Sequence, residues 1–457
     1  MTSILIRRGR VIDPVNRVDA IAGLRVSDGK IGELDLTGRD GSAGPIVREI
    51  DASGCWVVPG LIDPHVHLRD PGFPEKETIA SGLRAAAAGG FTTVAAMANT
   101  SPVNDTPEIT RYMLKQAARA HCARLVPVSA VTKGLRGEEL LDYRAMIAAG
   151  ARLFSDDGIP IDAPTVLARA IGEINAFGFT ISLHEEDRAL TAGGAVNAGE
   201  VANRLGVPGV PATAETARVN RDLEIAAERK ATVHVAHVSC AESLKMIRVA
   251  RARGATVTAE ATPHHMILDD RVVLNYGPSA KMSPPLRGRS DVEAVGAGLG
   301  DGTIDMIATD HAPHDYASKR MEELAGFFGP GIASPEPLPA AQASALTHAA
   351  NGVIGLETAL SAALDLVRRT VILPERLVRL MSLNPARLLR LEAGTLSPGA
   401  AADITLIDPN LVWKVDPAKF LSKSRNCPFA GMEFTGKAIL TMVGGEIVYD
   451  ARTGRLT

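Results

Sequence analysis

At both ends of the chain, apolar and polar positions alternate with a period of two, the signature of half-buried strands. ILIRRGRVID is followed by AIAGLRVSDGKIGEL, which contains Asp28-Gly29, a pair that suits a two-residue hairpin turn. ADITLIDPN and AILTMVGGEIVYD, the latter broken by Gly444-Gly445, repeat this texture near the far end. The pattern predicts that the two ends, residues 1–57 and 394–457, close into one small β domain around a central domain of residues 58–393.

From Val57 onward the texture changes, and aliphatic runs alternate with Ala-rich stretches of helical period. Eight runs read as strands: WVVPGLIDPHVHL, FTTVAAMA, ARLVPVSAV, ARLFSDDG, TISLHEE, ATVHVAHVS, ATVTAEAT and TIDMIATDH. Helices are predicted between them over 76–88, 108–120, 138–148, 165–176 and 241–253. Parallel strands need such crossovers, and eight units in this length predict an α/β fold of the (β/α)8 TIM-barrel type. A doubly wound sheet is the alternative from periodicity alone. The glycine fingerprints of dinucleotide and P-loop sites open no helix here.

With 49 Lys+Arg against 52 Asp+Glu, the chain is nearly neutral, which argues against a nucleic-acid partner. The longest apolar stretch, Ala85 to Ala98, is interrupted by Gly89-Gly90 and Thr92-Thr93, so no membrane span is expected. MTSILIRRGR places its arginines after a short apolar stretch, the reverse of a secretory signal, which predicts a cytoplasmic location. Cys55, Cys122, Cys240 and Cys427 form no C-x-x-C pair and read as buried thiols.

The candidate chemistry lies at the strand ends. His65-x-His67 closes the first run, and residues two apart on an extended chain face the same side. Asp157 ends the fourth run, His184 the fifth, His237 the sixth and Asp310 the eighth. Packing does not account for aliphatic strands that end in imidazoles and carboxylates, because such groups are costly to bury unpaired. A metal centre at the barrel mouth accounts for them together. Four imidazoles and two carboxylates without a thiolate suit Zn²⁺, Mn²⁺ or Co²⁺, and they exceed what one tetrahedral zinc takes. Two ions sharing a carboxylate is the economical arrangement.

DPHVHLRDPG (63–72), GGFTTVAAMANT (89–100), FSDDG (154–158), TPHH (262–265), PPLR (284–287) and IATDHAPH (307–314) resemble the dihydroorotase family of the amidohydrolase superfamily, in family order. SRNCPF and GEIVYD extend the resemblance toward the end of the chain. It implies a barrel with two Zn²⁺ ions, one held by His65, His67 and Asp310 and the other by His184 and His237. Many amidohydrolases bridge their metals with a carbamylated lysine on the fourth strand. ARLFSDDG has none, so the implied bridge is Asp157, with Asp156 as runner-up.

The implied reaction is the reversible cyclisation of N-carbamoyl-L-aspartate to L-dihydroorotate and water in pyrimidine synthesis. A metal-bound hydroxide would be the nucleophile of the hydrolytic direction and Asp310 the catalytic proton carrier. Arg69, Asn99 and His314, with His67 and Ser283, would bind the substrate. His264, His265 and His311 are expected in supporting or structural roles, and His121, His234 and His348 match no motif. Ser283 stands where the family usually has Asn, Ala98 replaces a usual proline, and a Pro/Gly/Ala-rich segment, 315–351, separates DHAPH from Gly355–Thr358. That segment reads either as an active-site lid or as an inert surface insertion. Competing readings are an allantoinase or hydantoinase/dihydropyrimidinase, and a catalytically silent scaffold for aspartate transcarbamoylase. Expected partners are the small-molecule substrate, further copies of the chain and that transcarbamoylase.

Overall fold

The computed structural model describes residues 3–36, 48–329, 332 and 336–456. Pro330, Gly331 and Pro335 of the 315–351 segment lie outside the described residues. So do Met1, Thr2 and residues 37–47 of the N-terminal region.

Eight parallel strands form the barrel in simple sequence order: Leu61–Val66, Phe91–Ala96, Arg124–Ser129, Leu153–Phe154, Ile181–Leu183, Thr232–Val235, Thr256–Ala261 and Met306–Ile307. All eight predicted runs contribute one. The ring closes where the eighth strand meets the first. His67 N–H donates to the His311 carbonyl (2.8 Å), and the Asp63 carboxylate accepts from the amides of His65 and Thr309 (both 3.1 Å). Burial raises Asp63 to about 7.

Helices Ile79–Ala88, Pro107–Ala120, Pro164–Ala176, Thr213–Arg229 and Ala241–Ala252 pack outside the ring. The first starts at Thr78, whose hydroxyl accepts from the Ser81 amide while Ser81 answers to the Thr78 amide, a reciprocal cap. It then buries Ile79, Leu83 and Ala85 through Ala88 on the barrel. The helix predicted over 138–148 begins later, at Tyr143. Thr132 pairs with Leu140 as an isolated bridge, and Asp142 caps the helix by accepting from the Ala145 amide.

A second sheet of nine strands draws on both chain ends. Trp56–Pro59 lies at its junction, parallel to Ser3–Asp13 and antiparallel to Ile404–Lys414. The run read as one strand, 56–68, is therefore split at Gly60, and its two halves serve different sheets. A side chain at Gly60 would collide with Thr92, so only glycine fits at the division. Asp28 and Gly29, both at positive φ (50° and 75°), form the predicted tight turn between Val18–Ser27 and Lys30–Asp35. Ile6, Val11, Leu24, Val57, Leu406 and Leu440 make this sheet's own core. All four cysteines are buried and free. Among the described residues, no helix is long and apolar enough to cross a membrane.

Candidate active site at the barrel mouth

Nine of the ten sequence-predicted site residues, His67, Arg69, Asn99, Asp157, His184, His237, Ser283, Asp310 and His314, line one cavity of about 240 Å³. The tenth, His65, is fully buried. Arg69, His237 and Asp310 all adopt left-handed backbone conformations (φ 58°, 31° and 44°). Such conformations cost a non-glycine residue on the order of 1–3 kcal/mol and gather where function requires them.

Asp157 occupies the centre. Its Oδ1 lies 3.1 Å from His184 Nδ1, 3.5 Å from His65 Nε2 and 3.8 Å from His237 Nε2, while Oδ2 lies 3.4 Å from His67 Nε2. Asp310 Oδ1 is 3.1 Å from His67 Nε2 and 3.6 Å from His65 Nε2. Two overlapping triads, His65/Asp157/His237 and His65/His67/Asp310, bring their donor atoms within 4.8 Å of one another. His184 adjoins the first triad, with Nδ1 2.9 Å from His237 Nε2. His65 Nε2 is buried without a hydrogen-bond partner, an expensive state that a cation would relieve. The donors are imidazole and carboxylate only, and they fit a divalent metal.

Neighbouring groups fix the imidazoles. His65 Nδ1 lies 2.6 Å from Glu260 Oε1. Glu260 Oε2 meets His234 Nε2 at 3.0 Å, and His234 Nδ1 meets Thr258 Oγ1 at 2.9 Å. With Glu260 holding a proton on Nδ1, Nε2 is the atom that His65 would offer a metal, which would displace the second proton of the ring. Replacing Glu260 by Gln is expected to weaken metal affinity by about 10- to 100-fold with the fold retained. A chelator-competition titration checks this, and unchanged affinity would show that Glu260 does not orient the ligand. Asn99 does for His67 what Glu260 does for His65. Its Oδ1 lies 2.8 Å from His67 Nδ1, and its Nδ2 donates weakly to Asp157 (3.4 Å).

The field follows from this crowding. Burial pushes Asp157 up, but His65 and His184 more than offset it and hold the carboxyl well below its usual range. Burial likewise opposes ionisation of Asp310, and the His67 hydrogen bond with the field of His65 brings it down. His184 loses basicity to burial, yet Asp157 and Glu186 raise it to about 10. Burial lowers Arg69 to about 10 and, helped by the charge of Arg69, His314 to about 2. The guanidinium is thus the cation at that wall of the cavity, beside a neutral imidazole 3.3 Å from its Nη2.

Asp156 faces elsewhere. It accepts from the amides of Val131 (2.7 Å) and Thr132 (3.1 Å) and from the Thr132 hydroxyl, tying two loops together. His265 bonds to Thr262 and the Pro284 carbonyl, and His311 to Glu77 and the Gly355 amide. His264 is buried with neither ring nitrogen bonded. None of these three belongs to a metal-competent group among the described residues.

Sequence reasoning missed several participants. Glu186 lines the cavity, 3.0 Å from His184 Nε2, and accepts from Ser283 Oγ at 2.5 Å. Asn351 and Gly352 were not missed: the sequence places them at the family's P-F-G-like stretch with no role assigned, and they form part of the wall. Asn426, within SRNCPF, donates to the carbonyls of Ala312 (3.1 Å) and Gly352 (3.0 Å) and accepts from the His314 amide (3.3 Å). For Glu260 a signal existed: a lone carboxylate within the aliphatic run ATVTAEAT.

An eight-stranded barrel with this mouth defines a metal-dependent cyclic amidohydrolase. Among solved structures, an L-hydantoinase (dihydropyrimidinase) from Arthrobacter aurescens is similar, at a TM-score of 0.85 and 27% identity, covering 100% of this chain and 98% of that one. The Dihydro-orotase-like family model matches residues 54–243. Dihydroorotases of Syntrophus aciditrophicus (strain SB) and Anaeromyxobacter sp. (strain K) are 43% and 44% identical over 446 and 450 residues. They align over 98% of this chain and over 99% and 98% of their own lengths. The chain belongs to the dihydroorotase family.

Proposed function

We propose that this enzyme catalyses the reversible cyclisation of N-carbamoyl-L-aspartate to L-dihydroorotate and water, as a step of pyrimidine synthesis. The observation that carries the reading is one small cavity that joins a converging imidazole–carboxylate cluster to the half-buried Arg69 guanidinium. The first suits hydrolysis of an amide, and the second suits a substrate bearing a carboxylate.

His65, His67 and Asp310 would hold one divalent ion, His184 and His237 the other, with Asp157 between them; zinc is the proposed metal. Bound there, the ions supply Lewis acidity, lowering the pKa of water and polarising the ring carbonyl. Asp310 accepts the proton of the attacking water and delivers it to the leaving amide nitrogen, and in the cyclising direction the transfer reverses. Arg69 engages the substrate carboxylate, with Asn99, Ser283 and His314 shaping its seat. Asn99 also holds His67, while Glu186 links His184 to Ser283, so substrate and metal ends share supports. Residues 1–57 and 394–457 are proposed as the small domain that flanks the barrel. A cytoplasmic location, and assembly with further copies or with aspartate transcarbamoylase, complete the proposal.

The likeness to an L-hydantoinase favours a second reading, a hydantoinase-type ring hydrolase. Arg69 and the lysine-free fourth strand weigh against it. Arg69→Met decides between a carboxylate seat and a neutral ring. A charged hydrogen bond is worth about 1.5–3 kcal/mol, so KM for dihydroorotate is expected to rise about 10-fold or more, with that for dihydrouracil little changed. Equal changes for both substrates would remove Arg69 from carboxylate recognition.

A further inference from the structure

Two lysines are buried behind the cavity wall, Lys281 (4% exposed) and Lys319 (1%), and neither is ion-paired with a carboxylate among the described residues. An ammonium so placed is costly unless its donors are satisfied. Backbone carbonyls satisfy them. Lys281 Nζ donates to Thr347 (2.8 Å) and Ala349 (2.5 Å), and Lys319 Nζ to Ala350 (2.8 Å) and to Lys281 itself (3.0 Å). Burial draws Lys281 down to about 8 and Lys319 well below the lysine range, so both lose part of their charge cost.

These bonds join three segments that are remote in sequence. The Lys281 carbonyl also accepts from Gly352 N–H (3.0 Å), and Ala350 N–H donates to Ser318 (2.9 Å). Each tied segment carries a piece of the cavity wall. Ser283 lies two residues after Lys281, and Asn351 and Gly352 follow Ala350 directly. The Asn351 carbonyl meets His314 Nε2 at 2.8 Å, and that imidazole stands beside Arg69. There is no slack at Gly352, where a side chain would fall 2.7 Å from Ala312 Cβ and 3.2 Å from His314.

We propose that Lys319, supplied by the segment inserted after the eighth strand, and Lys281 are positioning residues that tie the Ser283, Asn351–Gly352 and His314 parts of the wall into one rigid seat for the substrate carboxylate. Neither touches substrate. The inference rests on the functional reading above, and it gives part of the inserted segment a task that is neither a moving lid nor inert surface.

Methionine keeps the apolar stem and removes the donors. In Lys319→Met, KM for L-dihydroorotate is expected to rise at least about 10-fold, with kcat within about 3-fold of the parent and metal content unchanged. Lys281→Met should behave alike. In a His314→Ala background, Lys319→Met should raise KM by much less than in the parent, because both act on one seat. A merely structural lysine would lower the melting temperature and the active fraction without moving KM or showing that coupling. Unchanged KM in folded, metal-loaded Lys319→Met overturns the inference. The parent's own turnover of dihydroorotate separates this failure from failure of the functional reading. Amide exchange in the unmutated enzyme needs no variant to fold: Ala350 and Gly352 N–H are expected among the protected amides of the 315–352 region. Exchange at the rate of open loop would overturn the tether.

Discussion

Asp310→Asn is expected to reduce turnover of dihydroorotate by at least about 100-fold while leaving the fold intact. The backbone there is left-handed (φ 44°), a conformation asparagine tolerates at least as well as aspartate, so the exchange adds no strain. The side chain is buried and close to His67 and His65, and the amide fills the same space. What the amide lacks is proton affinity: it can neither take a proton from the attacking water nor return one to the leaving nitrogen. It also loses a negative charge that faces two imidazoles, so some loss of metal is expected. Rates and metal content measured on the same preparation separate the two effects. Near-normal turnover in a fully metallated Asp310→Asn protein would remove this residue from proton transfer.

The adjacent aspartates of FSDDG are expected to differ in whether their loss releases metal. Asp157 lies within 4 Å of His65, His67, His184 and His237, so Asp157→Ala should lose most bound metal and with it the activity. Its melting temperature in the metal-free state should fall as well, because the buried imidazoles, His184 above all, lose the carboxylate that balances them. Asp156→Ala leaves the Val131 and Thr132 amides and the Thr132 hydroxyl without their buried acceptor, at about 1–3 kcal/mol for each unsatisfied group. Metal content should persist there while thermal stability falls. Metal analysis and melting of both variants decide the matter, and greater metal loss at Asp156 would mean that the two roles are exchanged.

The barrel was legible because each strand is a short aliphatic run bounded by turn residues and followed by a helical pattern, a periodicity set by burial. The Gly60 division was not, because apolar residues stand on both sides of it, Trp56 to Val58 before and Leu61-Ile62 after, and the partner strands that draw the halves into different sheets are distant in sequence. The proposed ligands could be read because apolar packing alone does not put imidazoles and carboxylates at the ends of aliphatic strands. Their supports were legible only as oddities, Glu260 as a lone carboxylate in an aliphatic run and Asn426 within SRNCPF: Glu260 acts on His65 from 195 residues away and Asn426 on Ala312 from 114, and no local pattern names those targets. Lys281 and Lys319 were hidden for a different reason. Lysine is normally a surface residue, and its burial here depends on carbonyls that converge only in the folded chain.

Whether this mouth opens and closes the ring of a carboxylate-bearing cyclic amide is decided by a single substrate panel. The purified, zinc-loaded protein alone would be assayed on L-dihydroorotate, N-carbamoyl-L-aspartate, hydantoin, dihydrouracil and allantoin. Interconversion of the first two is expected, with kcat/KM for dihydroorotate at least about 100-fold above that for any carboxylate-free ring, in line with about 3 kcal/mol from a buried charged contact. Faster turnover of hydantoin, dihydrouracil or allantoin, or no turnover of any of the five by the fully metallated protein, would overturn the assignment.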